Sequence, residues 1–366
     1  MAGTEAVFAR DYAEARAGFL AAAAKRGLAV ASALHPHKGA EGEDLAMDSV
    51  LLGSADSDSL LIVTSGTHGV EGFCGSGCQR ALLGDDELLK RIDAAKIAVL
   101  LVHALNPWGF SFLRRANEDN IDLNRNFLDF LQPQVGNAGY EELHDLLLPP
   151  QWPPPDANRA ALFAARERMG HREFQAAVSS GQHSRPDGLF FSGTAPSWSN
   201  RTLRGLVKRH GAGKRRIGWI DIHTGLGPSG HGEKIYAGRN GAADLARTRA
   251  WYGADVMSYY DGGSASAEVK GSAVLCAHEE CHGAEITPQF ALMGLEYGTV
   301  SFEAVLHALR GAHWLEIHRE APAALRTSIE RAIRDAFYTE TELWKGMVLG
   351  QARVAVLQAV TALGRV

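Results

Sequence analysis

The sequence predicts an α/β fold with a mixed, mostly parallel, twisted sheet flanked by helices. Short apolar runs suited to buried strands alternate with helix-like segments, as in Leu60–Thr64, then 72–83, then Ile97–Val102. Parallel strands joined by crossover helices produce this order of strand, helix and strand. The 366 residues, 46% hydrophobic and 22% charged, are also enough to bury a large core.

The N-terminal region differs from this pattern. Apolar residues at helical spacing predict an amphipathic helix over 7–26, and Gly27 is a suitable stop. Residues 28–57 are rich in turn-forming residues, with one strand predicted near Ser49–Leu52. We therefore expect a helical extension over about residues 1–45 that precedes the main sheet.

The rest of the chain continues the α/β alternation. Further strands are predicted at Arg216–Ile222, Glu233–Ala237 and Ala291–Glu296, and helices at 157–180, 198–210, 241–257 and 301–319. A helical tail of about 321–366 follows. Because no compositional linker divides the chain, we predict one domain over 1–366, with an apolar tail that could pack on the core or join a homo-oligomer.

Composition narrows the class of protein. A net charge of −5 lacks the basic surplus expected of a nucleic-acid binder. The apolar run Phe19–Ala24 is short for a signal peptide, and no stretch approaches the length expected of a transmembrane helix. We expect a cytoplasmic protein that binds neither nucleic acid nor membrane, with its four cysteines as reduced, buried thiols.

Polar residues suited to a metal site follow several predicted strands. His68 and Glu71 stand three apart after the strand Leu60–Thr64, and such a pair can hold zinc with a third protein ligand. Two later strands end at His223 and Glu296. In open α/β sheets ligands bind outside the carboxyl ends of the strands, so these side chains are candidates for one site.

A long polar segment over 103–130 is a candidate functional loop, because long loops in compact domains usually carry function. It contains Asn106-Pro107, the pair Arg114-Arg115 and the run Asp122–Phe127. An arginine fork matches a carboxylate through two parallel hydrogen bonds, so this segment could hold both a substrate carboxylate and a developing oxyanion.

Together these residues resemble the zinc carboxypeptidase superfamily. The resemblance rests on His68-x-x-Glu71, the Asn106-Pro107 loop, the run Asp122–Phe127 and His223 in that order, over roughly residues 58–305. In detail the chain is most similar to a largely uncharacterised bacterial branch, through His-Thr-Gly-Leu-Gly at 223–227 and Glu-Tyr-Gly-Thr at 296–299.

The resemblance implies a role for each matched residue. It implies one zinc ion on His68, Glu71 and His223. Catalysis would use Glu296 as general base and Arg115 to polarise the scissile carbonyl. Substrate would be bound by Asn124, Arg125 and a tyrosine. Tyr259 and Tyr260 both loosely match the mobile tyrosine of the superfamily's carboxypeptidases, and we take Tyr260 as the candidate.

The implied function is zinc-dependent hydrolysis of an amide or peptide bond in a substrate with a free carboxylate, as in a carboxypeptidase. The superfamily also contains deacylases of N-acyl amino acids with the same ligand set, so a small peptide and an N-acyl amino acid are both possible substrates. A non-catalytic binding module on this fold is a third reading, which the complete set of site residues disfavours.

Three alternatives compete for individual roles. Arg114 is adjacent to Arg115, and Glu303 is a rival to Glu296 as the base. His278–His282 also matches H-E-x-x-H, the zinc helix of another metalloprotease class. Gly283 and Pro288 disfavour the long helix that this motif needs, so we expect His282 to be dispensable for zinc binding.

Overall fold

A computed structural model describes residues 4–134, 136–282 and 287–365; Gly283 lies outside them. Over these residues the chain forms an eight-stranded sheet, in the order β1-β2-β4-β3-β5-β8-β6-β7. The strands are β1 (Val30–Lys38), β2 (Asp44–Gly53), β3 (Ser59–Thr64), β4 (Ala98–His103), β5 (Arg216–Ser229), β6 (Gly232–Tyr236), β7 (Met257–Ser258) and β8 (Gln289–Gly298). The pairs β3–β4, β3–β5, β5–β8 and β6–β7 are parallel and the others antiparallel, which confirms the predicted mixed sheet.

Helices flank the sheet. They are α1 (Tyr12–Lys25), α2 (Gly72–Leu83), α3 (Asp86–Ala95), α4 (Pro107–Ser111), α5 (Ala138–Leu147), α6 (Asp156–Met169), α7 (His171–Ser179), α8 (Trp198–Gly211), α9 (Ala242–Tyr252), α10 (Cys276–Glu280), α11 (Phe302–Ile317), α12 (Ala323–Phe337) and α13 (Glu342–Leu363). Helices α1, α2, α3, α9 and α13 pack on one face, and α8 and α10 on the other. Helices α5, α6, α7, α11 and α12 form a further apolar cluster.

The central strands β3 and β4 are largely apolar because helices cover both of their faces. Every residue of β3 and of β4 is buried, as expected for strands inside a doubly covered parallel sheet. Strand β3 lies between β4 and β5, so the chain leaves β3 toward one side of the sheet and later returns on the other. Such a reversal of strand order opens a crevice at the carboxyl ends of the strands, where ligands bind.

The N-terminal prediction needs correction. Residues 30–38 are not part of a helical extension; they form β1, which pairs antiparallel with β2 from Val30↔Val50 to Lys38↔Asp44. Strand β1 lies at the edge of the sheet and most of its side chains are exposed, so it lacks the apolar alternation by which strands are identified. The helix α1 was predicted, and its Tyr12 donates a hydrogen bond to the Ala46 carbonyl of β2.

The C-terminal helix is longer and more apolar than the sequence analysis predicts, which found no stretch of transmembrane length. Within the described residues, Glu342–Leu363 is the one helix long and apolar enough to cross a membrane, judged by length and composition alone. A core helix passes the same test, and one side of α13 is buried, including Trp344, Val348, Val356 and Leu363. The helix packs in the same apolar cluster as α2 and α3.

Candidate metal centre and its cavity

The turn after β3 brings His68 and Glu71 to the same place. His68 has extended backbone, and Gly69–Glu71 then form one turn of 3-10 helix that leads into α2. The polar segment over 103–130 supports this turn, because Val70 N donates to the Arg114 carbonyl at 2.9 Å. Gly69 is required here: a Cβ atom would lie 2.0 Å from the carbonyl carbon of Gly109.

Three side chains converge at the carboxyl ends of β3 and β5. Nδ1 of His68 lies 2.8 Å from Oε1 of Glu71, and Nδ1 of His223 lies 3.0 Å from Oε2. Within the part of the chain that the structure describes, this is the one cluster of three or more potential ligands whose atoms lie within 4.8 Å of one another. Two imidazoles and a carboxylate are a ligand set of catalytic zinc sites, so the cluster can hold a metal ion.

Two buried carboxylates orient the imidazoles from behind. Asp221 Oδ2 lies 2.7 Å from His223 Nε2, and Asp122 Oδ1 lies 3.1 Å from His68 Nε2. Metal-binding histidines usually have such a partner on the second ring nitrogen, which fixes the ring and leaves the first nitrogen for the metal. Both Nδ1 atoms therefore face Glu71 as ligands would, and this arrangement fits a bound cation.

The sequence carried a signal for these carboxylates that motif reading missed. Asp221 stands two residues before His223 on β5, so both side chains lie on one face of the strand. Asp221 is also the register partner of Thr64, whose hydroxyl donates to it at 2.6 Å, and Thr67 donates at 2.8 Å. Asp122 begins the run Asp122–Phe127, and the sequence alone gives it no role of its own.

The electrostatics of the cluster favour a cation. Burial would raise the pKa of Glu71, but the charge of His68 and hydrogen bonds with both histidines outweigh it and hold the pKa well below its usual range. Burial raises the pKa of Glu296 to about 8, and the charge of Glu71 contributes to the rise. An ionised ligand thus lies near a carboxyl group whose raised pKa suits proton transfer.

Glu296 is the register partner of His223 across β5 and β8, so it lies beside the ligands. Its Oε1 accepts a hydrogen bond from Leu226 N at 3.1 Å, and its side chain lines the same cavity. The rival Glu303 lies on α11, pairs with Arg166 at 2.6 Å and is half-exposed. Of the two carboxylates, Glu296 is the one that lies beside the cluster.

Arg115, and not Arg114, points at the cluster. Arg115 donates to Asp122 at 3.0 Å and to Glu71 at 3.1 Å, and its Nη2 lies 2.8 Å from Nε2 of His68. Arg114 instead pairs with Glu316 of α11 at 2.7 Å. A guanidinium beside the ligands can donate hydrogen bonds to an oxygen on which negative charge develops.

Asn124 and Arg125 both line the cavity. Arg125 is almost fully buried and donates from Nε and Nη2 to the Ser179 carbonyl of α7, at 2.8 and 2.5 Å. Asn124 Oδ1 accepts from Ala273 N at 2.9 Å. Their positions are thus fixed by contacts with α7 and with the segment before α10.

The predicted tyrosine is displaced by one residue. Tyr260 directs its hydroxyl to the Gly238 carbonyl at 3.2 Å, and its neighbour Tyr259 lines the cavity instead. Adjacent residues point in different directions, and the sequence offered no basis for choosing between two tyrosines. Tyr259 is therefore the better candidate for a substrate contact.

None of the residues of the H-E-x-x-H stretch, 278–282, lines this cavity. Helix α10 spans only Cys276–Glu280, too short to place both histidines on one face. His278 is buried with its ring centre 4.2 Å from that of Phe290, whereas His282 is exposed. Glu279 and Glu280 both pair with Arg204. These contacts are those of a structural segment.

The cluster opens into a cavity with about 110 Å³ of space accessible to water-sized spheres. One part of the lining is polar and is formed by the residues described above. Another part is apolar and is formed by helices α7, α11 and α12. This combination of an apolar lining with a few convergent polar groups is typical of sites for small ligands.

The chain belongs to a family described as "Protein of unknown function (DUF2817)", which it matches over residues 8–351. No curated protein matches the sequence.

Solved structures similar to this one include carboxypeptidase A from Helicoverpa armigera, with 14% identity over 89% of this chain and 73% of that one (TM-score 0.44). A metallo-carboxypeptidase from Pseudomonas aeruginosa shows 16% identity over 91% and 68% of the two chains (TM-score 0.40). A protein from Shewanella amazonensis, provisionally assigned to the succinylglutamate desuccinylase/aspartoacylase family, shows 18% identity over 80% and 72% (TM-score 0.37).

Proposed function

We propose that this protein is a zinc-dependent hydrolase that cleaves an amide bond in a small substrate with a free carboxylate, as a carboxypeptidase does. One observation carries the proposal. The Nδ1 atoms of His68 and His223 converge on Glu71, each ring held from behind by a buried carboxylate, in a cavity that Glu296 also lines. A purely structural cluster would not require a second carboxylic acid in the same cavity.

Zinc bound to His68, Glu71 and His223 would supply Lewis-acid activation of a water molecule and of the scissile carbonyl. Glu296 accepts a proton from the attacking water and donates it to the leaving nitrogen, a role that a buried carboxyl with a raised pKa can fill. Arg115 donates hydrogen bonds to the carbonyl oxygen as negative charge develops on it.

Arg125 and Asn124 orient the substrate by binding its carboxylate. The guanidinium of Arg125 can make charge-assisted hydrogen bonds to a carboxylate. Because the Ser179 carbonyl already holds this side chain in place, little side-chain entropy is lost when the carboxylate binds. A fixed carboxylate in turn holds the amide bond next to the cluster in an orientation suited to reaction, which lowers the entropic part of the barrier.

The proposal is tested with two substrate panels on zinc-loaded protein. One panel measures release of C-terminal residues from peptides, and the other measures hydrolysis of N-acyl amino acids. A carboxypeptidase cleaves the first panel, whereas a deacylase with the same site cleaves the second. Zinc-replete protein that is inactive on both would contradict hydrolysis and support a non-catalytic binding module.

A matched pair of variants tests the assignment of the base. Glu296→Gln should lower kcat about a thousandfold, because the water would lose its proton acceptor. Glu303→Gln, which alters the rival carboxylate on α11, should leave kcat unchanged. Equal losses in the two variants would contradict the assignment.

A further inference from the structure

One side of the cavity is an apolar wall, defined here as Phe302, Val305, Leu306 and Leu309 of α11 with Phe337 of α12. The four α11 residues recur at spacings of three and four, so they lie on one face of the helix. The opposite face of α11 is polar or exposed at Glu303, Ala304 and His307. The helix therefore presents a continuous hydrocarbon surface to the cavity.

The wall extends along the reaction site. Leu309 also borders a smaller pocket together with Arg115 and Phe190, so the wall reaches the arginine beside the metal cluster. At the other end of the wall, the ring centre of Phe302 lies 6.5 Å from the ring centre of Phe174 on α7. Helix α7 also provides the Ser179 carbonyl that holds Arg125. Both arginines and the wall line one cavity, so a substrate held between the arginines would be within reach of the wall.

Charged side chains in the lining are confined to the candidate reaction centre. In the described ranges they are His68, Glu71, Arg115, Arg125, Asp221, His223 and Glu296. Within the cavity lining the wall itself offers a charged substrate group no partner, because Glu303 pairs with Arg166 and Arg310 donates to the Leu147 carbonyl. His171, Arg172 and Glu268 line a neighbouring pocket beyond Phe302, at the far end of the wall from Arg115. A charged group against the wall would lose its hydration without compensation, which is costly.

We infer that the substrate group facing the wall is an apolar hydrocarbon group. This rests on the proposed function in that the substrate also carries a carboxylate bound near Arg125. The apolar group is either the acyl part of the substrate or the side chain of the residue that bears the carboxylate. The same hydrocarbon chemistry would be recognised in both cases, and binding experiments separate the two sources.

The test measures dissociation constants by calorimetry on zinc-loaded Glu296→Gln protein, in which turnover is suppressed. One arm varies the acyl group of N-acyl-glycines: acetyl, hexanoyl, benzoyl and succinyl. The other arm varies the residue of N-acetyl amino acids: Gly, Leu, Phe, Asp and Lys. In one arm, apolar members should bind about tenfold or more tightly than both the smallest and the charged members. That arm identifies the source of the apolar group.

Two results would overturn the inference. Charged members that bind as tightly as apolar ones would show that the wall does not select the substrate. Absence of saturable binding by every member would show that the cavity does not accept such carboxylates. Neither result depends on a change in the wall itself.

A pair of lysine variants tests the wall directly. Phe302→Lys should weaken binding of apolar members about tenfold and strengthen binding of the succinyl or Asp member. Ala304→Lys adds the same charge on the exposed side of α11 and should change neither. Thermal melting checks that each variant folds. If Phe302→Lys does not fold, the dissociation constants measured for the ligand series on protein with the unaltered wall still test the inference.

Hydrolysis by the unmodified zinc-loaded protein is measured separately. Tighter binding of apolar members without hydrolysis contradicts the proposed function but supports the inference about the wall. Hydrolysis without tighter binding of apolar members supports the proposed function but contradicts the inference about the wall. The two failures are therefore distinguishable.

Discussion

Two stretches of this chain carry histidine and glutamate at metal-binding spacing, and they have opposite outcomes. At 68–71, an extended residue followed by one helical turn directs both side chains toward His223. At 278–282, a five-residue helix buries one histidine against Phe290 and leaves the other exposed. The spacing of residue types is thus insufficient; the backbone that carries them and a third ligand from a neighbouring strand decide the outcome.

The largest expected effect separates the two stretches by metal content. His68→Ala and His223→Ala should abolish stoichiometric zinc binding, because each removes one of three ligands. His282→Ala should leave it intact. Zinc per protein chain, measured by mass spectrometry after dialysis, checks this, and the reverse pattern would move the metal site to 278–282.

A second comparison uses the arginine beside each stretch. Arg115→Lys should lower kcat/KM about a hundredfold, because a lysine cannot reproduce the fork that contacts Glu71 and Asp122. Arg204→Lys, which alters the arginine paired with Glu279 and Glu280, should leave kcat/KM unchanged. Steady-state kinetics on the better substrate panel measures both, and similar losses would remove the distinction.

The carboxylates behind the ligands give a smaller effect. Asp221→Asn should weaken zinc binding about 10–100-fold, because His223 would lose the partner that fixes its ring. Glu279→Gln is the matched change in the other stretch and should have no effect on affinity. Competition with a chelator of known affinity measures the difference, and unchanged affinity in Asp221→Asn would show that Asp221 is only structural.

The smallest expected effect concerns stability within 278–282. Burial lowers the pKa of His278 to about 4, and the charge of Arg239 contributes. In the unfolded chain this histidine binds a proton near pH 6.5, so the free energy of unfolding falls as pH decreases from about 6.5 to about 4. His278→Phe should reduce that fall by at most about 3 kcal/mol.

Urea unfolding at several pH values measures this dependence. His282→Gln is the control, since an exposed side chain is solvated in both the folded and the unfolded state. A fall in stability that is unchanged in His278→Phe would show that His278 is not buried as the structure places it.

The central part of the fold was predictable because its constraints are local in sequence. Strands covered on both faces are largely apolar, so β3, β4 and the first parts of β5 and β8 read as apolar runs in the sequence. The carboxyl ends of parallel strands lie at one edge of a sheet. The polar residues predicted at those strand ends therefore lie together, namely His68, Glu71, His223 and Glu296. Strand β1 was missed because an edge strand with exposed side chains has no such pattern.

The finer features of the site depend on directions that a sequence does not state. Asp221 and Asp122 act through the second nitrogen of an imidazole, and only the three-dimensional register shows which nitrogen each one reaches. The choice of Tyr259 over Tyr260 depends on the local backbone. The apolar wall depends on how α11 is rotated about its own axis.

The convergence of the ligands on Glu71 also bears on how the molecule comes apart. Glu71 and His223 are separated by 152 residues in the chain and meet only when β3 and β5 are paired. A cation shared by them would be a reversible cross-link that closes a long loop, and such links limit the freedom of the unfolded chain. Removing the cation would release that tether, so metal loss should quicken unfolding of the central sheet as well as empty the site.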